Sequence, residues 1–307
     1  MIKGNRLLGI KDLGRREIWE IIDQARTFKE VLTRPIPIVP ALRGKTILLL
    51  FLEPSTRTQI SFSIAAKRLS ADVISFSASS SSVLKGETLL DTARNIEAMR
   101  VDGVVVRHSA PGSSRFLADR LNAFVINAGD GCHEHPTQGL LDIFTMLEHH
   151  ESLEDKIVLI VGDIKHSRVA RSNIWGLTRL GSKVAVSAPP TLLPIDIERM
   201  GVEVTIDIDE ILPEADVVYV LRIQKERQKS GLFPSVQEYR ELFGITGERA
   251  RRLKKKALIM HPGPMNRGIE IDPEVADGPR SVILDQTRNG VAVRMSILYL
   301  LAGGKIE

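Results

Sequence analysis

The sequence predicts an α/β protein of two domains, each a mainly parallel sheet flanked by helices. Short continuous apolar runs recur along the chain with little alternation, as in parallel strands covered on both faces. Amphipathic stripes at helical spacing lie between those runs. The length, 307 residues, suits about two domains at roughly 150 residues each.

In chain order, Ile18, Ile21, Ile22 and Ala25 form the first helical stripe. Pro35-Ile36-Pro37-Ile38-Val39-Pro40 is an extended, proline-set connection. Thr46–Leu52, Asp72–Phe76, Gly103–Arg107 and Phe124–Asn127 read as strands. Helical residues Ile60, Ile64 and Ala65 follow the first of these, and Leu89, Ala93, Ile96 and Met99 precede the third. Thr137–His150, with Leu140, Phe144 and Leu147 on one face, is a helix bridging two series. The second series has strands Ile157–Val161, Lys183–Ser187, Val202–Ile206, Val217–Leu221 and Ala257–Met260, with Ala170, Ile174 and Leu177 on a helix. Val291–Leu301, after Asn289-Gly290, is a terminal helix placed to pack back on the first domain. The expected domains are residues 1–136 with 288–307, and 137–287. Ser77–Ser82 is a serine-rich loop, and Ile223–Gly247 is a long, charged, poorly periodic one.

Hydrophobic residues at 43% and charged residues at 26% exclude disorder over the whole chain. The run Ile47–Leu52 is far too short to span a membrane. Met1–Arg6 leads into no signal-peptide core, so a soluble cytoplasmic protein is expected. The single Cys132 rules out an intrachain disulfide framework and a multi-cysteine zinc site. A net charge of +4 suits an acidic small molecule at least as well as nucleic acid. Arg249–Lys256 is basic without aromatic interleaving, which favours a solvated helix face over a nucleic-acid patch.

The strongest local signal is Glu53-Pro54-Ser55-Thr56-Arg57-Thr58. A strand ends, Pro54 blocks its continuation, and Ser55 suits an N-cap. Helix-start N–H groups, the helix dipole and four polar side chains then make an anion site of the phosphate kind. Capping alone explains Ser55 but not Arg57 between two threonines. Neither a nucleotide P-loop nor a dinucleotide fingerprint fits: the required glycines fall on Val39 in one case and on Ile164, Lys165 and His166 in the other.

His135-Pro136-Thr137-Gln138 opens a second helix after a strand. His135 could donate to a carbonyl oxygen, serve as a cap or core residue, or bind a metal with Cys132 and His133. Lys85-Gly86-Glu87, beyond the serine run, could fold over an anion or be a solvated linker. Arg107, Arg168, Arg222, Gln224 and His261–Pro264 all follow strand ends, where ligands of open α/β sheets sit. Gathered cations imply a substrate with several negative groups. No Ser-His-Asp or Cys-His spacing points to a covalent intermediate, so catalysis by positioning and charge stabilisation remains.

Ser55–Thr58 and His135–Gln138 resemble the carbamoyl-phosphate signatures of the transcarbamoylase family. The resemblance covers nearly the whole chain. Lys85–Thr88, Arg222–Arg227 and His261–Gly268 are similar to the aspartate-using branch, whereas ornithine-using relatives carry a His-Cys-Leu-Pro segment. It implies transfer of a carbamoyl group from carbamoyl phosphate to the amine of L-aspartate, at the committed step of pyrimidine synthesis. By resemblance, phosphate binds Ser55, Thr56, Arg57, Thr58, Arg107 and Gln138. Thr58, Arg107 and His135 polarise the carbamoyl carbonyl. Ser81 and Lys85 come from a neighbouring subunit of a homotrimer. Arg168, Arg222, Gln224 and Lys85 hold aspartate, with backbone at Gly263 and Pro264. Glu53 pairs with Arg168 and Arg227 when the domains close. No metal or cofactor is implied, and some relatives associate with regulatory chains or a dihydroorotase. A different amino acceptor, or a non-catalytic anion-binding chain, are the rival readings.

Overall fold

A computed structural model describes residues 5–77, 87–223 and 235–304. Two compact units divide the chain. One comprises the residues up to Leu141 and those from Arg288 onward, and the other is Asp142–Thr287.

The first unit contains strands β1 (Arg6–Leu7), β2 (Thr46–Phe51), β3 (Asp72–Ser77), β4 (Gly103–His108) and β5 (Phe124–Asp130). They form one sheet in the order β1-β5-β4-β2-β3, with every pairing parallel. Helices α1 (Arg15–Leu32), α2 (Thr56–Arg68), α3 (Leu89–Ala98) and α4 (Ser113–Ala118) connect them. Leu48, Leu50, Val104, Val106 and Val125 pack with Ala93, Ile96, Leu117 and Leu121 in one buried cluster. The continuous apolar runs thus serve a sheet covered by helices, as their pattern required.

Helix α5 (Pro136–His149) leads into the second unit. Strands β6 (Ile157–Val161), β7 (Lys183–Ser187), β8 (Val202–Thr205), β9 (Val217–Val220) and β10 (Leu258–Met260) form its sheet in the order β10-β9-β6-β7-β8. These pairings are also all parallel. Its helices are α6 (Arg168–Arg179), α7 (Ile208–Ile211), α8 (Val236–Phe243), α9 (Gly247–Arg252) and α10 (Pro273–Ala276). Helix α11 (Ile283–Leu301) returns the chain to the first unit.

Four details differ from the sequence expectation. Strand β1 has two residues, too few to show a period. Within the expected loop Ile223–Gly247, Val236–Phe243 is helical; Ser235 caps it by accepting the Glu238 N–H at 3.0 Å, and Tyr239 and Phe243 bury one face. The basic run is not a uniformly solvated face. Arg249, 12% exposed, donates to Asp209 at 2.8 Å, and Arg252 joins it. Helix α11 begins at Ile283 rather than after Gly290. Gly290 therefore lies inside the helix, where a Cβ would meet the Arg294 guanidinium and Leu141. That guanidinium instead reaches α2, donating to Ser61 Oγ at 2.8 Å.

Candidate active site

In each sheet the strand order reverses once. In the first, β2 leads to β3 on one side, and the chain then crosses to β4 on the other side of β2. Such a switch point opens a crevice beyond the carboxyl ends of β2 and β4. Phe51 and Arg107 are register partners, so the two strand ends are level. Arg107 Nη2 donates to the Glu53 carboxylate at 2.8 Å, and Nη1 donates to the Ala128 carbonyl at 3.2 Å. The two side chains are 11% and 18% exposed, so water screens the pair weakly.

Beside them α2 begins. Ser55 stands at its N-cap, yet the hydroxyl makes no capping hydrogen bond, unlike the expected cap. The first turn contains no acidic residue. Its positive helix end is therefore matched by no carboxylate on the same turn. Thr58 is buried on the inward side, while Thr56 and Arg57 are exposed.

His135 is 4% exposed and opens α5, its carbonyl accepting the N–H groups of Gln138 at 3.0 Å and Gly139 at 3.2 Å. A buried polar cluster sets that turn. Asn127 Nδ2 donates to Asp130 Oδ1 and to the Leu8 carbonyl, both at 2.8 Å. Glu134, 2% exposed, accepts the Ile10 N–H at 2.7 Å and the Lys11 N–H at 3.3 Å. Gly9 has no side chain to spare here, since a Cβ would overlap the Glu134 carboxylate. Asn127, Asp130 and Glu134 were not singled out from the sequence. Their signal was present as polar residues in and after an apolar strand.

Burial opposes ionisation of Asp130, but hydrogen bonds from His133, Asn127 and the Gly112 N–H hold its carboxyl below the usual range. His133 Nδ1 lies 3.1 Å from Asp130 Oδ1. Among the described residues no group of three His, Cys, Asp or Glu side chains could hold a metal ion, so Cys132, His133 and His135 do not converge as ligands.

His108 ends β4 beside Arg107, and the sequence reading passed over it. Burial pushes its imidazole below the usual range, with Glu53 and Asp130 pulling the other way. Its Nδ1 accepts the Ala110 N–H at 2.8 Å. A lowered folded value means that the folded chain binds this proton less readily than the unfolded chain. The associated stability is full above the unfolded value of 6.5 and is lost as pH falls through the folded one. His108→Asn, which retains an acceptor for Ala110, is expected to lessen the drop in melting temperature between neutral pH and about pH 5. An unchanged drop would contradict this role.

The second sheet has its switch point between β6 and β9. Gly162, at φ +126, follows β6, and a Cβ there would come within 2.6 Å of the Leu221 carbonyl oxygen. Only glycine permits so close an approach of the two strand ends. Arg168, 5% exposed, opens α6 behind its cap, where Ser167 accepts the Ala170 N–H at 3.1 Å. Arg222 follows β9 and is half-buried. Gly263, at φ +60, and the exposed Pro264 follow β10, which pairs with β9. Ser81, Lys85, Gln224 and Arg227 lie outside the described residues. Each unit thus carries cations at the carboxyl edge of its own sheet, beside its switch point.

Residues 5–148 match the family model for the carbamoyl-P binding domain of aspartate/ornithine carbamoyltransferases, and residues 154–301 match the model for their Asp/Orn binding domain. The chain belongs to the aspartate/ornithine carbamoyltransferase family. An aspartate carbamoyltransferase catalytic subunit from Halothermothrix orenii is 62% identical, covering 100% of this chain and 98% of that protein. One from Syntrophobacter fumaroxidans is 57% identical, covering 97% and 98%. Aspartate transcarbamoylase from Trypanosoma cruzi, solved with N-(phosphonacetyl)-L-aspartic acid, superposes with a TM-score of 0.88 at 32% identity, covering 97% of this chain and 96% of that one. Ornithine carbamoyltransferase from Pyrococcus furiosus superposes at 0.86 with 29% identity, covering 99% and 98%. The backbone alone therefore does not separate the two acceptors, whereas the sequence relatives do.

Proposed function

We infer that the protein is an enzyme that transfers the carbamoyl group of carbamoyl phosphate to the amine of L-aspartate, releasing N-carbamoyl-L-aspartate and phosphate. This is the committed step of pyrimidine biosynthesis. The observation that carries the reading is identity of 62% over essentially the full length of a relative named as an aspartate carbamoyltransferase catalytic subunit. The cation-rich switch point in each sheet supports it physically.

The first unit takes carbamoyl phosphate. Its phosphate lies at the start of α2 against Ser55, Thr56, Arg57 and Thr58, with Arg107 and Gln138. Thr58, Arg107 and His135 face the carbonyl oxygen and stabilise the tetrahedral oxyanion. The second unit takes aspartate through Arg168, Arg222 and Gln224, with backbone at Gly263 and Pro264 and with Lys85 assisting. The neutral amine attacks the carbonyl carbon, the bond from that carbon to the bridging oxygen breaks, and the departing phosphate accepts the amine proton.

Ser81 and Lys85 act on the site of a neighbouring copy in a homotrimer. Exposed isoleucines support a covered face: Ile60 and Ile64 on α2 are 53% and 39% exposed, and Ile74 on the edge strand β3 is 51% exposed. Mixing inactive Arg57→Ala and Lys85→Ala trimers should restore partial activity, because hybrids contain sites with both residues intact. No recovery would exclude a shared site. For the reaction itself, phosphate release from carbamoyl phosphate should depend on aspartate. Binding without such turnover would favour the non-catalytic rival.

No helix of the described residues is long and apolar enough to cross a membrane. We propose a cytoplasmic location.

A further inference from the structure

The second unit contains a buried polar relay that the reaction scheme does not use. Asp142 on α5 is fully buried. Its Oδ2 accepts from Tyr219 Oη at 2.6 Å and from Asn173 Nδ2 at 3.0 Å. Its Oδ1 accepts from Gln286 Nε2 at 2.7 Å. Gln286 Oε1 in turn accepts the His261 N–H at 3.0 Å. The orientation of the Gln286 amide is fixed by chemistry, because a backbone N–H can only donate. The amide oxygen must face His261, so the NH₂ must face Asp142. Asp142 is then an acceptor on both oxygens.

The relay continues through His261. Its Nδ1 accepts the Gly263 N–H at 2.8 Å, which leaves the ring proton of the neutral form on Nε2. That nitrogen lies 3.4 Å from Glu270 Oε1, with both side chains fully buried. Glu270 Oε1 also accepts the Asn266 N–H. Both ends of the turn 261–266 are thus tied to buried side chains, and Gly263 and Pro264 lie between them.

We propose that Asp142 and Gln286 are positioning residues for aspartate. They hold the turn at Gly263 and Pro264 in the geometry that receives the substrate. This rests on the reading of that turn as part of the aspartate pocket. Neither side chain touches the substrate; each acts through the His261 main chain.

The donor–acceptor pattern gives a sharp test. Asp142→Asn can keep an oxygen towards Tyr219 and Asn173, but its NH₂ then opposes the Gln286 NH₂. Gln286→Glu keeps an acceptor for His261 but sets a carboxylate against Asp142. The double variant Asp142→Asn/Gln286→Glu restores every pairing: the introduced amide donates to the introduced carboxylate, and net charge is conserved. Each single variant is expected to raise the aspartate KM by about 10-fold or more, since small misplacements of positioning groups have effects of that order. The carbamoyl-phosphate KM should stay within about twofold, because the relay lies in the other unit. The double variant should recover most of the aspartate KM. Single variants with unchanged aspartate KM would overturn the proposal, as would a double variant no better than either. Equal changes in both KM values would also overturn it, since general loosening moves both. Pro264→Ala, measured in parallel, tests the underlying reading. If it leaves the aspartate KM unchanged, the turn is not part of the pocket. If it raises that KM while the relay variants do not, only the positioning role fails.

Discussion

Arg107→Ala is expected to lower kcat by about 10²–10³-fold, the usual effect of removing one oxyanion donor. It is also expected to raise the carbamoyl-phosphate KM. Two losses combine. The guanidinium is removed from the switch point proposed to take both the phosphate and the carbonyl. Glu53, at present 2.8 Å from Arg107 and mostly shielded, is left as a negative charge beside the proposed phosphate site. The double variant Arg107→Ala/Glu53→Gln separates these effects. It should recover part of the KM and little of the kcat. Arg107→Lys should not restore turnover, because a point charge cannot replace a planar fork that contacts two acceptors. Steady-state kinetics with carbamoyl phosphate as the varied substrate reads each outcome. A kcat unchanged in Arg107→Ala would remove Arg107 from the chemistry.

Arg222→Ala is expected to raise the aspartate KM by about 10²-fold, within the range for a charge partner lost from a desolvated pair. The carbamoyl-phosphate KM should change little, because Arg222 stands at the switch point of the second sheet and not of the first. Arg222 is the cleaner probe of that pocket. Arg168 is 5% exposed, so its removal would also disturb a packed helix start. Equal effects on both substrates would contradict a division of labour between the sheets.

Much of the fold could be read in the sequence, because parallel strands buried on both faces need continuous apolar runs. The runs at β2, at β4 to β7 and at β9 and β10 carried that signal directly. Strand β1 did not, since two residues define no period. Helix α8 carried one in Tyr239 and Phe243, but a charged setting obscured it. Strand order was beyond reach, because it depends on which distant runs become neighbours. The switch points therefore entered only with the structure.

The site divides in the same way. The placement of Arg107, Arg168 and Arg222 after strand ends, and of Arg57 in the first turn of a helix, was legible because short apolar runs mark where the strands stop. The supports beneath them were not. Glu134 holds main-chain N–H groups at Ile10 and Lys11, more than a hundred positions earlier in the chain, and no local pattern announces such a pairing. Asp142, on the apolar helix after His135, meets Gln286 only through the folded unit. Nor did spacing show that Ser55 leaves its helix uncapped by its own hydroxyl, since the same residue type serves as a cap elsewhere in the chain.

The central claim is the acceptor, because the fold is shared with an ornithine enzyme. Carbamoyl phosphate supplied with equal amounts of L-aspartate and L-ornithine, with products identified by mass, tests it most directly. N-carbamoyl-L-aspartate is the expected product, formed together with phosphate. Citrulline as the main product would contradict the account.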